Sequence, residues 1–412
     1  MSRIKIINFG PIHSTPDNDW IDIKKVTVFI GNQGSGKSTI AKLISTFMWM
    51  EKVLVRGDFK EKEFTASKFR NTYCGYHRMS NYFRKNDTEI FYEGEAYSFT
   101  YTKENQLILQ RTNQKEGSYA LPQMIYVPAE RNFLSIINKP KLIKELPDAL
   151  LEFLAEFDNA KSLLKDALHL PVNDALLEYQ KQNDTLLIKG KDYAVKLTEA
   201  SSGFQSVVPL YLVSMYLSES IRNKVAQTNS MSNDEIRRFQ TEVTKIWDND
   251  SLSNAQKRIA LSLLSARFNK SAFINIVEEP EQNLYPSSQN QLMQSLLEMN
   301  NALPANKLIV TTHSPYLVNH LFLSVKAGLL QRRKEAGKEI LAEIDKAYPI
   351  RSSLAPEELS IYEYREDISY FRALESYEGI PSDEHFLNEW LEHTNEQFAK
   401  LLDIEQHFCS AK

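Results

Sequence analysis

Gly31-Asn-Gln-Gly-Ser-Gly-Lys-Ser38 is a complete G-x-x-x-x-G-K-[ST] loop. It follows the apolar run Val26-Thr-Val-Phe-Ile30 and precedes the helix-like stretch Thr39-Ile-Ala-Lys-Leu-Ile-Ser-Thr-Phe. Strand, loop and helix in that order are the context the motif requires. Gly31, Gly34 and Gly36 admit backbone conformations that a Cβ would block. The loop N–H groups then converge on phosphate oxygens at a helix N-terminus. Lys37 reaches the β- and γ-phosphates, and the Ser38 hydroxyl holds Mg²⁺. Gly31, Asn32, Gln33, Gly34, Ser35, Gly36, Lys37, Ser38 and Thr39 are therefore the expected contacts of a nucleoside triphosphate, read as ATP.

The remaining composition sets bounds. A chain of 412 residues with 42% hydrophobic content can bury a large core or two domains. A net charge of −4 excludes a uniformly basic nucleic-acid binder, so any DNA contact must come from a local patch. Cys74 and Cys409 lie far apart and match no metal spacing, which fits a reducing compartment. The start shows no signal-peptide core, and no apolar run reaches membrane-span length. The expectation is a cytoplasmic protein without membrane contact.

Along the chain, short strands open the sequence and residues 40–70 read as helical. Residues 88–112 alternate as a meander broken at Glu93-Gly94-Glu95 and Lys103-Glu-Asn. Met124-Ile-Tyr-Val is a further strand. Helical periodicity is read over 140–182 and again over 210–270, with a polar loop at Gln227–Asp234. Between the two, Gly190-Lys-Asp marks a hairpin. Phe273-Ile-Asn-Ile-Val and Lys307-Leu-Ile-Val-Thr are buried-strand candidates separated by a helix, the mark of a parallel sheet. A basic helix, the strand Leu359-Ser-Ile-Tyr-Glu-Tyr and a final helix follow residue 320. No heptads are sustained.

Three clusters accompany the loop. Ser201-Ser-Gly-Phe-Gln205 opens a helix and offers a hydroxyl, free N–H groups and a helix dipole to an anion. In isolation it is equally an ordinary N-cap. Glu278-Glu279-Pro-Glu ends an apolar strand, where ligands gather in parallel sheets. One carboxylate can hold Mg²⁺ and the next can polarise an attacking water. A solvated acidic turn is the bland alternative. His313-Ser-Pro ends another strand and can contact a γ-phosphate or orient water, or simply be satisfied by backbone.

In this order the four motifs resemble the ABC-type ATPase head, the superfamily of SMC, RecF and OLD proteins. The resemblance covers about residues 1–320. It implies an α/β P-loop NTPase fold of mixed sheet, antiparallel meander and inserted helical lobe, with residues 321–412 as a C-terminal α/β extension. It implies Walker A at Gly31–Ser38, a signature with Ser202, Gly203 and Gln205, Walker B metal and catalytic carboxylates at Glu278 and Glu279, and a switch histidine at His313. Such heads hydrolyse ATP in head-to-tail dimers, each nucleotide held by one subunit's loop and capped by the other's signature. Two departures are visible. Phe204 stands at a signature glycine position, and Glu278 stands where Asp is usual, so slow turnover is expected.

Ile6-Ile-Asn-Phe-Gly-Pro-Ile, Tyr126-Val-Pro-Ala-Glu-Arg-Asn, Glu199-Ala-Ser-Ser-Gly-Phe-Gln-Ser and Glu279-Pro-Glu-Gln-Asn-Leu-Tyr-Pro are similar to ATPases of two-gene bacterial antiphage systems, such as AriA of PARIS and PtuA of Septu. That similarity implies a sensor or scaffold partnered by a separate, nuclease-like effector. The alternatives are a RecF-like DNA repair ATPase, with basic contacts from Lys257-Arg258 to Arg267 and from Gln331 to Lys338, and a scaffold that binds ATP without turnover. The last helix, with Trp390, Leu391, Phe398, Leu401 and Leu402 on one broad face, is expected to pack on the core or to dock an oligomer or partner.

Overall fold

A computed structural model describes residues 2–13, 20–112, 119–137, 145–226, 241–265, 271–333, 337–366 and 369–410. The apolar run before the glycine-rich loop forms β3 (Val26–Ile30), buried at every residue. Its sheet partners are β7 (Pro122–Val127), β12 (Ala272–Glu278), β13 (Lys307–Thr312), β14 (Leu359–Arg365) and β15 (Tyr370–Ala373). They lie in the order β15-β14-β3-β13-β12-β7, parallel except for the edge pair β14–β15. Parallel strands covered on both faces need largely apolar runs, which is why β12 reads Ala-Phe-Ile-Asn-Ile-Val, its one polar side chain, Asn275, donating to Ser214 Oγ.

Alternate residues of these strands feed two cores. Val28, Val127, Val277 and Val310 face helices α2 (Asp148–Leu163), α3 (Ser202–Ala226), α5 (Pro286–Asn301) and α6 (Pro315–Gln331). Phe29, Tyr126, Ile276 and Ile309 face α1 (Lys37–Arg56) and a second, antiparallel sheet. That sheet runs β2-β1-β4-β5-β6, from β1 (Ser2–Ile7), β2 (Ile21–Ile23), β4 (Glu89–Glu93), β5 (Tyr97–Tyr101) and β6 (Leu107–Arg111). The meander read from 88 to 112 is this sheet's β4-β5-β6 edge. The fold is α/β with a mixed sheet, as the sequence suggested.

Two expectations need correction. The helical reading of 140–182 holds only over α2. Residues Leu176–Gln180 form β9, which pairs antiparallel with β10 (Thr185–Lys189). Cross-strand pairing overrides the Leu-rich local pattern there; residues 138–144 lie outside the described residues. The helical reading of 210–270 holds over α3 to residue 226, over residues 241–247 and over α4 (Asn254–Ser265), while the loop at 227–234 lies outside the described residues. Finally, the segment after 320 is not a separate extension. Residue 320 falls inside α6, and β14 pairs with β3 itself, Glu363 opposite Ile30. The buried pattern of β14 is satisfied only in the central sheet. Past α7 (Lys338–Ala347) and β15, the chain ends in α8 (Phe386–Ser410), exposed over most of its length.

Candidate functional site

The phosphate-type loop sits at the C-terminal end of β3, between β14 and β13. Gly31 has φ +153° and Gly36 φ +97°, conformations a side chain rarely takes. Space is also lacking. A Cβ on Gly31 would lie 2.6 Å from Tyr364 Cβ, and one on Gly36 would lie 2.9 Å from Ile12 Cγ1. Lys37 is buried and curls over the loop, donating to Gly31 O and Asn32 O at 2.7 Å and to Ser35 Oγ at 3.3 Å. Burial lowers its ammonium to about 8, against the pull of Glu279 and Glu281. Asn32 donates to Glu366, so the turn after β14 touches the loop. Gln33 and Gly34 form an open tip.

The neighbouring strands deliver the acids and the histidine. Glu279 follows β12 with φ +44°, uncommon for a residue with a Cβ. Its N–H donates to Thr311 O of β13 at 2.9 Å, and its Oε1 lies 3.3 Å from His313 Nε2. The hydrogen bond with His313 is the chief cause that brings the Glu279 carboxyl down to about 2, assisted by Gln282 and by the charge of Lys37. So acidic a group is a poor proton acceptor and a good orienter of water. The His313 N–H in turn donates to Glu281 Oε1 at 2.7 Å. Burial raises the Glu281 carboxyl.

Glu278 is turned elsewhere. Its Oε1 accepts from the Tyr126 hydroxyl at 2.5 Å, its Oε2 from Ala129 N at 3.1 Å, and Lys42 stands 3.6 Å away. Each carboxylate oxygen keeps a lone pair. Ser38 is the second residue of α1, one turn before Lys42. Among the described residues no three His, Cys, Asp or Glu side chains gather as a metal cage. That donor set fits Mg²⁺, which takes one or two protein oxygens and fills its shell with water and phosphate.

Reading the sequence assigned no role to Arg131. It is fully buried and donates Nε to Ser206 O at 3.1 Å, Nη1 to Glu278 O at 2.7 Å and Pro128 O at 3.3 Å, and Nη2 to Glu279 O at 2.7 Å. Each buried carbonyl left unpaired costs roughly 1–3 kcal/mol. The only signal was the phrase Pro128-Ala-Glu-Arg-Asn132 ending a buried strand.

The helix start at residue 201 is arranged for contact outward. Ser201 and Ser202 are exposed, whereas Phe204 is buried in the core. The Phe204 side chain at the signature glycine position thus packs inward, away from the exposed helix end. Gly203 packs on the segment after Glu279, where a Cβ would meet Asn283 O at 2.9 Å. Gln205 donates Nε2 to Leu197 O and Thr198 O at 3.3 and 3.2 Å, bracing the turn. In the basic patch suggested over Lys257–Arg267, Arg258 is not at the surface, and Arg267 lies outside the described residues. Arg258 is buried between the Trp49 and Tyr76 rings, 4.3 and 4.2 Å from their centroids.

No described helix is long and apolar enough to cross a membrane. The chain is similar in structure to the SMC head domain from Thermotoga maritima, at 11% identity, over 91% of this chain and 98% of that one, with a TM-score of 0.37. It is similar to the Smc head with an extended coiled coil bound to the C-terminal domain of ScpA, from Pyrococcus furiosus, at 10% identity over 96% and 99% of the chains (TM-score 0.35). The ATP-binding cassette MJ0796, a dimer in a post-hydrolysis state bound to ADP and Pi, matches at 13% identity over 77% and 90% of the chains (TM-score 0.22). A search of curated proteins finds no match. A protein-family model matches residues 92–319, a span holding Arg131, Ser202, Glu278, Glu279 and His313. That span exceeds half of the 412 residues, and the chain belongs to the family described as "AAA domain, putative AbiEii toxin, Type IV TA system".

Proposed function

We propose that this protein binds and hydrolyses ATP with Mg²⁺, working as a head-to-tail dimer. The observation that carries the reading is the meeting of Lys37, Glu279 and His313 at the ends of three adjacent parallel strands. Lys37 neutralises phosphate charge, Ser38 and Glu278 hold the metal, and Glu279, fixed by His313, orients the attacking water. Bound Mg²⁺ supplies charge neutralisation at the phosphates. Ser202, exposed at the start of α3, and the adjoining Gly203 cap the partner's nucleotide. Purified protein should release phosphate from ATP only with Mg²⁺, and Lys37→Ala should abolish it. A wild type that binds no ATP would overturn the assignment.

Within that frame we infer a sensor and scaffold of a bacterial antiphage system, with ATP governing assembly around a separate, nuclease-like effector. Support comes from the resemblance of four local phrases to such ATPases and from the toxin–antitoxin wording of the family. The RecF-like alternative is disfavoured by the buried Arg258. Co-purification with the product of an adjacent gene supports the sensor reading; stimulation of ATP turnover by DNA supports the repair reading.

A further inference from the structure

Arg131 is the bulkiest fully buried side chain among the described residues. We propose that Arg131 is a positioning residue that locks Glu279 in its working conformation and ties it to the helix bearing Ser202 and Gly203. The inference rests on the ATPase reading above and adds a regulatory link to it.

Its guanidinium serves two functional segments at once. One edge takes the carbonyls of Glu278 and Glu279 at 2.7 Å each, and Nε takes the Ser206 carbonyl in the first turns of α3. Ser206 lies one helical turn beyond Ser202. Glu279 holds φ +44°, a conformation that persists in a residue with a Cβ only when the surroundings over-determine it. Here the N–H is fixed by Thr311 O, the side chain by His313 and Gln282, and the carbonyl by Arg131. Asn283 adds a parallel strut, donating Nδ2 to Ser206 Oγ at 3.1 Å. A displacement of the α3 start, as when a partner's nucleotide meets Ser202, therefore reaches the carbonyl of Glu279 through one rigid, planar group. Lys cannot replace it, because a single ammonium does not span carbonyls on both sides of a planar fork.

The test is Arg131→Lys in the full-length protein, with folding checked by thermal denaturation. Expected is a fall in kcat of about 10- to 100-fold, with ATP affinity within twofold of wild type. Single-turnover rates complete a double-mutant cycle with Glu279→Gln. Arg131→Lys should add almost nothing once Glu279 is gone. An unchanged kcat, an additive cycle, or an ATP affinity that falls with kcat overturns the proposal. A wild type without ATP turnover instead defeats the ATPase reading. If Arg131→Lys does not fold, a crystal structure of Glu279→Gln with ATP decides. Retention of the carbonyls of residues 206, 278 and 279 on Arg131, with residue 279 at positive φ, supports the lock. Release of the 279 carbonyl while the side chain reaches the γ-phosphate overturns it.

Discussion

His313 Nε2 stands 3.3 Å from Glu279 Oε1, although the two residues leave different strands and are 34 positions apart in the sequence. This contact holds the Glu279 carboxyl at about 2, against the upward push of burial. Removing the imidazole takes away the largest lowering influence, leaving burial opposed only by Gln282 and Lys37. In His313→Ala the Glu279 carboxyl should therefore rise from about 2. A group that must be ionised loses activity as pH falls through its pKa. The variant should therefore show its acid limb of kcat at a higher pH than wild type. A pH–rate profile of both proteins checks this, and coincident acid limbs would refute it.

Glu279 and Glu278 should separate by kinetics. Glu279→Gln removes the water-orienting charge and should lower kcat about 10²- to 10⁴-fold while ATP stays bound. The trapped nucleotide should stabilise a dimer on size-exclusion chromatography. Glu278→Gln weakens the Mg²⁺ shell and its link to Tyr126, so the Mg²⁺ concentration for half-maximal rate should rise. The opposite pattern would exchange the two roles.

Lys37 sits at about 8 because it is buried. Below that pH it is charged and ATP affinity should be flat. Above it, binding must take up a proton, so affinity should fall as pH rises through 8. Isothermal titration at pH 9 in buffers of different ionisation enthalpy should reveal that uptake, and none should be seen at pH 6.5. At neutral pH, Lys37→Ala forfeits a charge-assisted contact of roughly 1.5–3 kcal/mol, which corresponds to about 10- to 100-fold weaker binding. Equal affinity of variant and wild type would remove Lys37 from the site.

Ser202 is exposed at the start of α3, and the proposed head-to-tail dimer sets it against the nucleotide of a second subunit. Ser202→Arg and Lys37→Ala should each be inactive alone. In a mixed dimer one of the two composite sites keeps both intact halves, so mixing should restore up to about half of wild-type activity per heterodimer. Heterodimers that form, by mass spectrometry, and yet stay inactive would speak for a site built within one chain.

The apolar face of α8 is bare: Trp390, Phe398, Leu401 and Ile404 are all at least half exposed. A groove between α6 and α7, of about 640 Å³, is lined by Leu323, Leu330, Ile340 and Ile344 and edged by Lys326 and Arg333, with the single acid Glu343. The helix carries Glu389, Glu392, Glu396, Asp403 and Glu405 against the single base Lys400. The acidic, apolar helix and the basic-edged apolar groove suit each other across two copies of the chain. Trp390→Ala with Phe398→Ala should lower the oligomeric mass by light scattering while ATP binding persists. Leu323→Asp should do the same from the groove side. An unchanged mass in both would leave α8 without a role in self-assembly.

The parts of the candidate site were legible because each is local in sequence. A glycine-rich loop, two acids after an apolar strand and a histidine after another each occupy fewer than ten consecutive residues, and backbone geometry makes them recognisable. The parallel strands were legible for the same reason, as largely apolar runs. What holds the parts together is not local. Arg131 bonds to carbonyls 75, 147 and 148 residues away, and Tyr126 to a carboxylate 152 residues away. No spacing rule encodes such partners; burial of polar groups forces them, and only the packed chain shows which carbonyls need a donor. The inward turn of Phe204, the burial of Arg258 and the entry of β14 beside β3 were likewise decided by which surface had to be covered. Sequence by itself determined which residues can meet a phosphate; tertiary packing decided which of them are held, and by what.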